Sequence, residues 1–175
     1  REKVFCSAVP IQDETRNIFN FFERSTGRVL RINEPGPRIS PAERRSFFAT
    51  IASLPLVRGD IVAISGSLPP GMPAESYARV VRILKKKTPL VVLDADGEPL
   101  TRALGAGPFV IKPNLWELER AAGKRIRSFA AARRACRDLC ERGPRMVILT
   151  HGEKGAVLFG PGEEVAAVPP RVAAV

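Results

Sequence analysis

Short runs of aliphatic β-formers that stop at a loop of Gly, Pro or Asn recur through this chain, and they restrict it to one kind of fold. The runs end in "ISGSLPPGMP" (64–73), "VIKPNLWEL" (110–118) and "ILTHGEKGAV" (148–157). Segments with helical spacing separate them. Repeated strand–helix units bury their apolar faces as a mostly parallel sheet covered by helices. Ligands of such sheets bind at the carboxyl ends of the strands, where these loops lie. The expected fold class is α/β.

The pattern predicts a β-hairpin from 17–22 and 28–32 around "ERSTG", with Gly27 supplying turn freedom. The "EPGP" stretch is a loop by composition. Ser40 then reads as an N-cap, with Pro41 at the first helical position and Glu43 at N3, opening a helix to about residue 54. Strands are expected at 60–65, 90–94, 109–112 and 145–150, and helices at 73–87, 98–104 and 115–122. Ser128 caps a further helix to about residue 140, with Phe129, Ala132, Cys136 and Leu139 on one face. Strands at 156–159 and 164–168 flank a "GPG" turn. No internal repeat or low-complexity linker interrupts the series.

Charge narrows the ligands. The net charge is +10, a field that attracts nucleotides, sugar phosphates or nucleic acid. The basic residues are scattered rather than gathered in one tract. Arg133, Arg134, Arg137 and the run Lys85, Lys86 and Lys87 read as solvated helix surface. With one Trp and one Tyr, the chain lacks the aromatic platform of a single-strand binder, so nucleic acid is not expected. No apolar run approaches a membrane span. The opening "REKVFCSAVP" lacks a signal-peptide core and a starting Met, and reads as the interior of a longer protein. Three cysteines, an odd number, do not make a disulfide framework. Cys136 and Cys140 share a helix face at i and i+4. The only histidine lies on another element, so core packing in a reducing cytoplasm is expected rather than a metal pair.

Four places carry residues suited to phosphate chemistry. Asn114 followed by Glu117 at a helix start is a capping box. The same pair just past a strand, with Lys112 beside it, can also hold hydrated Mg²⁺ and phosphate oxygens; the two readings are compatible. Residues 150–155, "THGEKG", read as a hairpin turn, or as a loop whose glycine-freed amides meet phosphate or ribose oxygens. Ser65, Gly66 and Ser67 begin an ordinary strand-to-helix connection that also offers hydroxyl and amide donors. Arg16, in "DETRNIF", is either a solvated edge residue or a bidentate phosphate clamp.

With "RINEPGPRIS" (31–40) these motifs resemble the PfkB-type (ribokinase-like) sugar kinases over nearly the whole chain. "KPNLWE" is similar to the family's NxxE signature, which implies that Lys112, Asn114 and Glu117 organise phosphate and metal. "THGEKG" resembles the nucleotide segment S-x-G-x-x-G between two strands. Gly152 and Gly155 match it, Thr150 stands where Ser is common, and His151 stands where an aliphatic residue is common. The resemblance therefore places Thr150, His151, Gly152, Glu153, Lys154 and Gly155 at the nucleotide, with no histidine base among them. It places Ser65 or Ser67, Gly66 and Arg16 at the sugar phosphate, and makes the hairpin a lid that covers the sugar and mediates dimer contacts. "NEPGP" favours the branch that acts on phosphosugars, which includes 1-phosphofructokinases and tagatose-6-phosphate kinases. "LDADGEPL" (93–100) resembles "LDTSGEAL": Asp94 matches and can assist the metal, whereas Ala95 and Asp96 depart from the hydroxyl-bearing pair.

What the resemblance implies is a ribokinase-like fold and transfer of the ATP γ-phosphoryl to a phosphosugar, foremost fructose 1-phosphate, with Mg²⁺ as cofactor. The partners expected are ATP, the phosphosugar and a second copy, with no membrane. Other sugars, tagatose 6-phosphate, a nucleoside, or a non-catalytic basic module that binds nucleic acid or a partner chain are the alternatives. The family's general base lies in a "GAGD"-type segment. Here "GAG" at 105–107 is followed by Pro108 and precedes "IKPN", so it is not that segment. The early segment with a sugar-binding Asp and a "GGKG"-like stretch is also missing. The expectation is a central fragment: 1–39 a partial lid and sugar-side segment, 40–175 the kinase core, with no catalytic residue in the chain and the base beyond Val175.

Overall fold

A computed structural model describes residues 4–170 and divides them into two compact units. Residues 171–175, the last before the position expected to lead to the general base, lie outside the described residues.

The first unit comprises residues up to 53 together with 68–73. Strands β1 (Ile18–Glu23) and β2 (Arg28–Asn33) pair antiparallel, and Gly27 N–H closes the turn on the Glu23 carbonyl at 2.9 Å. Every residue of both strands is exposed. Helix α1 (Pro41–Ser53) begins with the expected reciprocal cap: Ser40 N–H donates to Glu43 Oε2 at 2.7 Å, and Glu43 N–H to Ser40 Oγ at 3.3 Å. That Ser40 N–H bond is the largest of the effects that lower the pKa of the Glu43 carboxyl. The Pro69–Gly71 loop is pinned by Ile39 N–H on the Pro70 carbonyl at 2.7 Å and by Arg44 Nη1 on the Gly71 carbonyl at 3.3 Å.

The second unit comprises 54–67 and 74 onward. It runs β3 (Val62–Ser65), α2 (Ser76–Leu84), β4 (Val91–Asp94), α3 (Gly97–Ala103), β5 (Val110–Ile111), α4 (Leu115–Ala122), α5 (Phe129–Glu141), β6 (Met146–Thr150), β7 (Ala156–Gly160) and β8 (Glu163–Ala167). The six strands lie in sequence order, β3 to β6 parallel and β6 to β8 antiparallel. This is the α/β, mostly parallel sheet expected. Val81, Leu84, Leu93, Leu100, Ile111, Leu118, Leu139 and Val147 are fully buried between sheet and helices. Each such side chain contributes about 1.5–3 kcal/mol of burial.

Several details differ from the sequence reading. Helix α2 is shorter than 73–87, because Lys86 and Lys87 bond back three residues to Ile83 and Leu84 and tighten the end into a turn. Lys85 and Lys87 are not simply solvated: their Nζ atoms donate to the Ala106 and Leu54 carbonyls. On α5, Ala132, Cys136 and Leu139 are buried, but Phe129 is exposed at the first turn, tilted against Phe159. Burial, chiefly, pushes the Cys136 thiol up to about 12, so it acts as a core hydrophobe, as expected. Among the described residues, no cluster of three or more metal-type ligands forms, and no helix is long and apolar enough to cross a membrane.

Candidate functional site

The carboxyl ends of β3 and β4 and the first residue after β5 put Ser65, Asp94 and Lys112 at one edge of the sheet. The parallel register pairs Ser65 with Asp94 directly. Ser65 Oγ reaches Asp94 Oδ2 at 3.5 Å, and Lys112 Nζ meets Asp94 Oδ1 at 3.1 Å. Residues 29 and 18 positions apart from Asp94 thus converge on one carboxylate. The two charged side chains are 37% and 38% exposed, so water reaches the pair and it contributes little stability.

Two residues past the end of β5, Pro113 cannot donate a backbone bond, and its carbonyl accepts from Thr150 N–H at 3.0 Å. Asn114 then forms an isolated parallel bridge with Thr150. The "KPN" and "THGEKG" segments are therefore side by side. Asn114 caps α4 in the full reciprocal box: Glu117 N–H donates to Asn114 Oδ1 and Asn114 N–H to Glu117 Oε2, both at 2.9 Å. The capping reading of this pair holds. Glu117 sits in the first turn of α4, half-buried, at the positive end of the helix dipole.

The turn after Thr150 is partly self-contained. His151 N–H donates to the Gly155 carbonyl at 2.8 Å, Lys154 N–H to His151 and Gly155 N–H to Gly152, both at 3.0 Å. His151, Gly152, Glu153 and Lys154 are exposed. His151 and Lys154 line a cavity of about 410 Å³ together with Leu115, Ile126, Phe129 and Leu149. Gly155 has φ 90, and a Cβ there would come 2.0 Å from the Ala167 carbonyl oxygen of β8. Gly155→Ala is therefore expected to cost at least about 2 kcal/mol, through left-handed strain and a displaced strand. A thermal melt that matches the wild-type protein would refute this.

Gly66 and Ser67 follow β3 at the same edge and are exposed, and Tyr77 Oη donates to the Gly66 carbonyl at 2.6 Å. In the first unit, Arg16 lies at the foot of the hairpin. A Cβ at Gly36 would stand 3.6 Å from Arg16 Cβ and Cδ, so the "NEPG" stretch lies along the arginine stem. Next to it, Asn17 N–H and Nδ2 both donate to Glu34 Oε2, at 2.7 and 3.3 Å.

Sequence reasoning missed Arg120. It projects from α4, donates to Asp96 Oδ2 at 2.7 Å and lies over the Trp116 ring at 4.5 Å from its centroid. The i, i+4 spacing of Trp116 and Arg120 was the available signal.

A family model described as pfkB family carbohydrate kinase matches residues 1–175. A 1-phosphofructokinase of Rhodobacter capsulatus is 36% identical over 166 residues, which is 94% of this chain and 52% of the relative. A 1-phosphofructokinase of Bacillus subtilis is 37% identical over 134 residues, 77% of this chain and 44% of the relative. The chain thus spans about half the length of the curated relatives it matches. The tetrameric inhibited form of phosphofructokinase-2 from Escherichia coli superposes with a TM-score of 0.87 at 27% identity, covering 95% of this chain and 55% of that one.

Proposed function

The chain belongs to the pfkB family of carbohydrate kinases, and from that membership we propose that it is the central part of an ATP-dependent phosphosugar kinase, acting foremost on fructose 1-phosphate to give fructose 1,6-bisphosphate. The observation that carries this reading is the convergence of Ser65, Asp94, Lys112, the Asn114–Glu117 box and Thr150 at the carboxyl edge of the parallel strands. Phosphoryl transfer asks a protein chiefly for positioning and charge stabilisation, and this edge supplies hydroxyls, one lysine and a helix N-terminus.

The residues fit Mg²⁺. Carboxylate oxygens are the donors it prefers, and it commonly takes only one or two of them, with waters and phosphates completing its shell. Glu117 is the stronger ligand, since Asp94 is already paired with Lys112. When bound, the ion would neutralise phosphate charge. Lys112 and Asn114 would orient the phosphates, residues 150–155 would hold the nucleotide, and Arg16, Ser65, Gly66 and Ser67 would hold the sugar phosphate. The general base would come from outside residues 1–175.

The hairpin supports pairing with a second copy. Its register puts Phe19, Phe21, Leu30 and Ile32 on one face, all exposed. Free cysteines fit a cytoplasmic setting. Against a nucleic-acid module stand the ion pairs that already engage Arg102, Lys112, Arg120, Lys124, Arg125 and Arg133.

A coupled assay with Mg-ATP tests the reading. A full-length protein containing this chain is expected to turn over fructose 1-phosphate faster than tagatose 6-phosphate or unphosphorylated fructose. Residues 1–175 alone are expected to show none. Turnover by the isolated chain above a heat-killed control would refute the external base.

A further inference from the structure

Asp96 is where "LDADGEPL" departs from the family wording, and it adds a carboxylate two residues past Asp94, at the end of β4. Left unopposed, that charge would repel the phosphate of an incoming sugar phosphate. The structure opposes it. Asp96 Oδ2 accepts from Arg120 Nη1 at 2.7 Å, while its Oδ1 caps α3 at the Gly97 N–H. The guanidinium is steadied from its own helix by the Trp116 ring. Gly97 leaves room for this contact, because a Cβ there would stand 3.0 Å from Arg120 Nη2 and shift the guanidinium by a few tenths of an ångström. The two side chains are 46% and 37% exposed, so as a stability device the pair contributes little.

We propose that Arg120 is a positioning residue for substrate specificity: it masks the Asp96 carboxylate so that the crevice accepts an anionic sugar phosphate. The inference rests on the phosphosugar reading above. Arginine suits the task because its planar group can stack on Trp116 and pair with Asp96 at once.

The test is steady-state kinetics of the full-length protein. Arg120→Ala is expected to raise the KM for fructose 1-phosphate about tenfold, and to leave kcat and the ATP KM within about twofold. Added salt should shrink the defect, since the unmasked charge is partly in water. Asp96→Ser alone should not raise KM. The double variant Arg120→Ala/Asp96→Ser should return KM close to the wild-type value, because no carboxylate is left to mask. A merely structural clamp predicts the reverse: Asp96→Ser would be impaired like Arg120→Ala, and the double variant would be no better. That result, or an unchanged KM in Arg120→Ala, overturns the proposal. If Arg120→Ala does not fold, Asp96→Ser decides alone. A wild-type protein that phosphorylates only uncharged sugars would end the phosphosugar reading, and this inference with it, before any variant is compared.

Discussion

Glu117→Gln in the full-length protein is expected to lower kcat by about a hundredfold or more, while costing less than about 1 kcal/mol of stability. The two effects separate because of the geometry of the cap. Glu117 Oε2 accepts from Asn114 N–H, and a glutamine carbonyl can accept the same bond. The capping box therefore survives the change. What disappears is the negative charge, which the cap does not require and a Mg²⁺-phosphate complex does. Raising Mg²⁺ should recover part of the lost rate. Kinetics over a Mg²⁺ titration, run beside a thermal melt, distinguish the roles. Near-normal kcat with a lowered melting temperature would leave Glu117 as a cap and nothing more.

Arg16→Ala is expected to raise the KM for the sugar phosphate roughly tenfold to a hundredfold, with the ATP KM nearly unchanged. Arg16 is half-buried, lies outside the paired residues of the hairpin, and its stem runs past Gly36. The strands themselves should be undisturbed, because the neighbouring lock is made by Asn17 and Glu34. Arg16→Lys should restore only part of the affinity, since an ammonium cannot reproduce a bidentate fork. An unaltered sugar-phosphate KM in Arg16→Ala would remove the hairpin from the sugar site, and with it the best physical support for a phosphosugar substrate.

Both predictions draw on residues that stood out in the sequence, and for the same reason. Their signals are short in range. A capping box is written within four residues, and both Ser40–Glu43 and Asn114–Glu117 formed as read. The alternation of strand and helix is written in hydrophobic periods, so the α/β class and the helix ending at Gly123 could be read directly. Element ends were less legible. Strand β5 pairs over only Val110–Ile111, although Phe109 and Lys112 N–H groups still bond to the Val91 and Leu93 carbonyls. Pro108 and Pro113 bracket it and limit the ladder at both ends.

The sequence by itself determined the layered class of the fold, the loops at which ligands would be sought, the two helix caps and the β-hairpin. Only the tertiary structure decided which of those loops meet. Ser65, Asp94 and Lys112 share one carboxylate, Thr150 bonds to Pro113, and Arg120 covers Asp96. These contacts join residues 18 to 37 positions apart in the chain. Periodicity and capping are settled by neighbours within a turn or a strand, whereas strand register and the reach of a long side chain are settled by how the whole sheet packs. Arg120 shows the difference most plainly: on its own helix it is one more surface cation, and only the packing of α3 beside α4 gives it a carboxylate to hold.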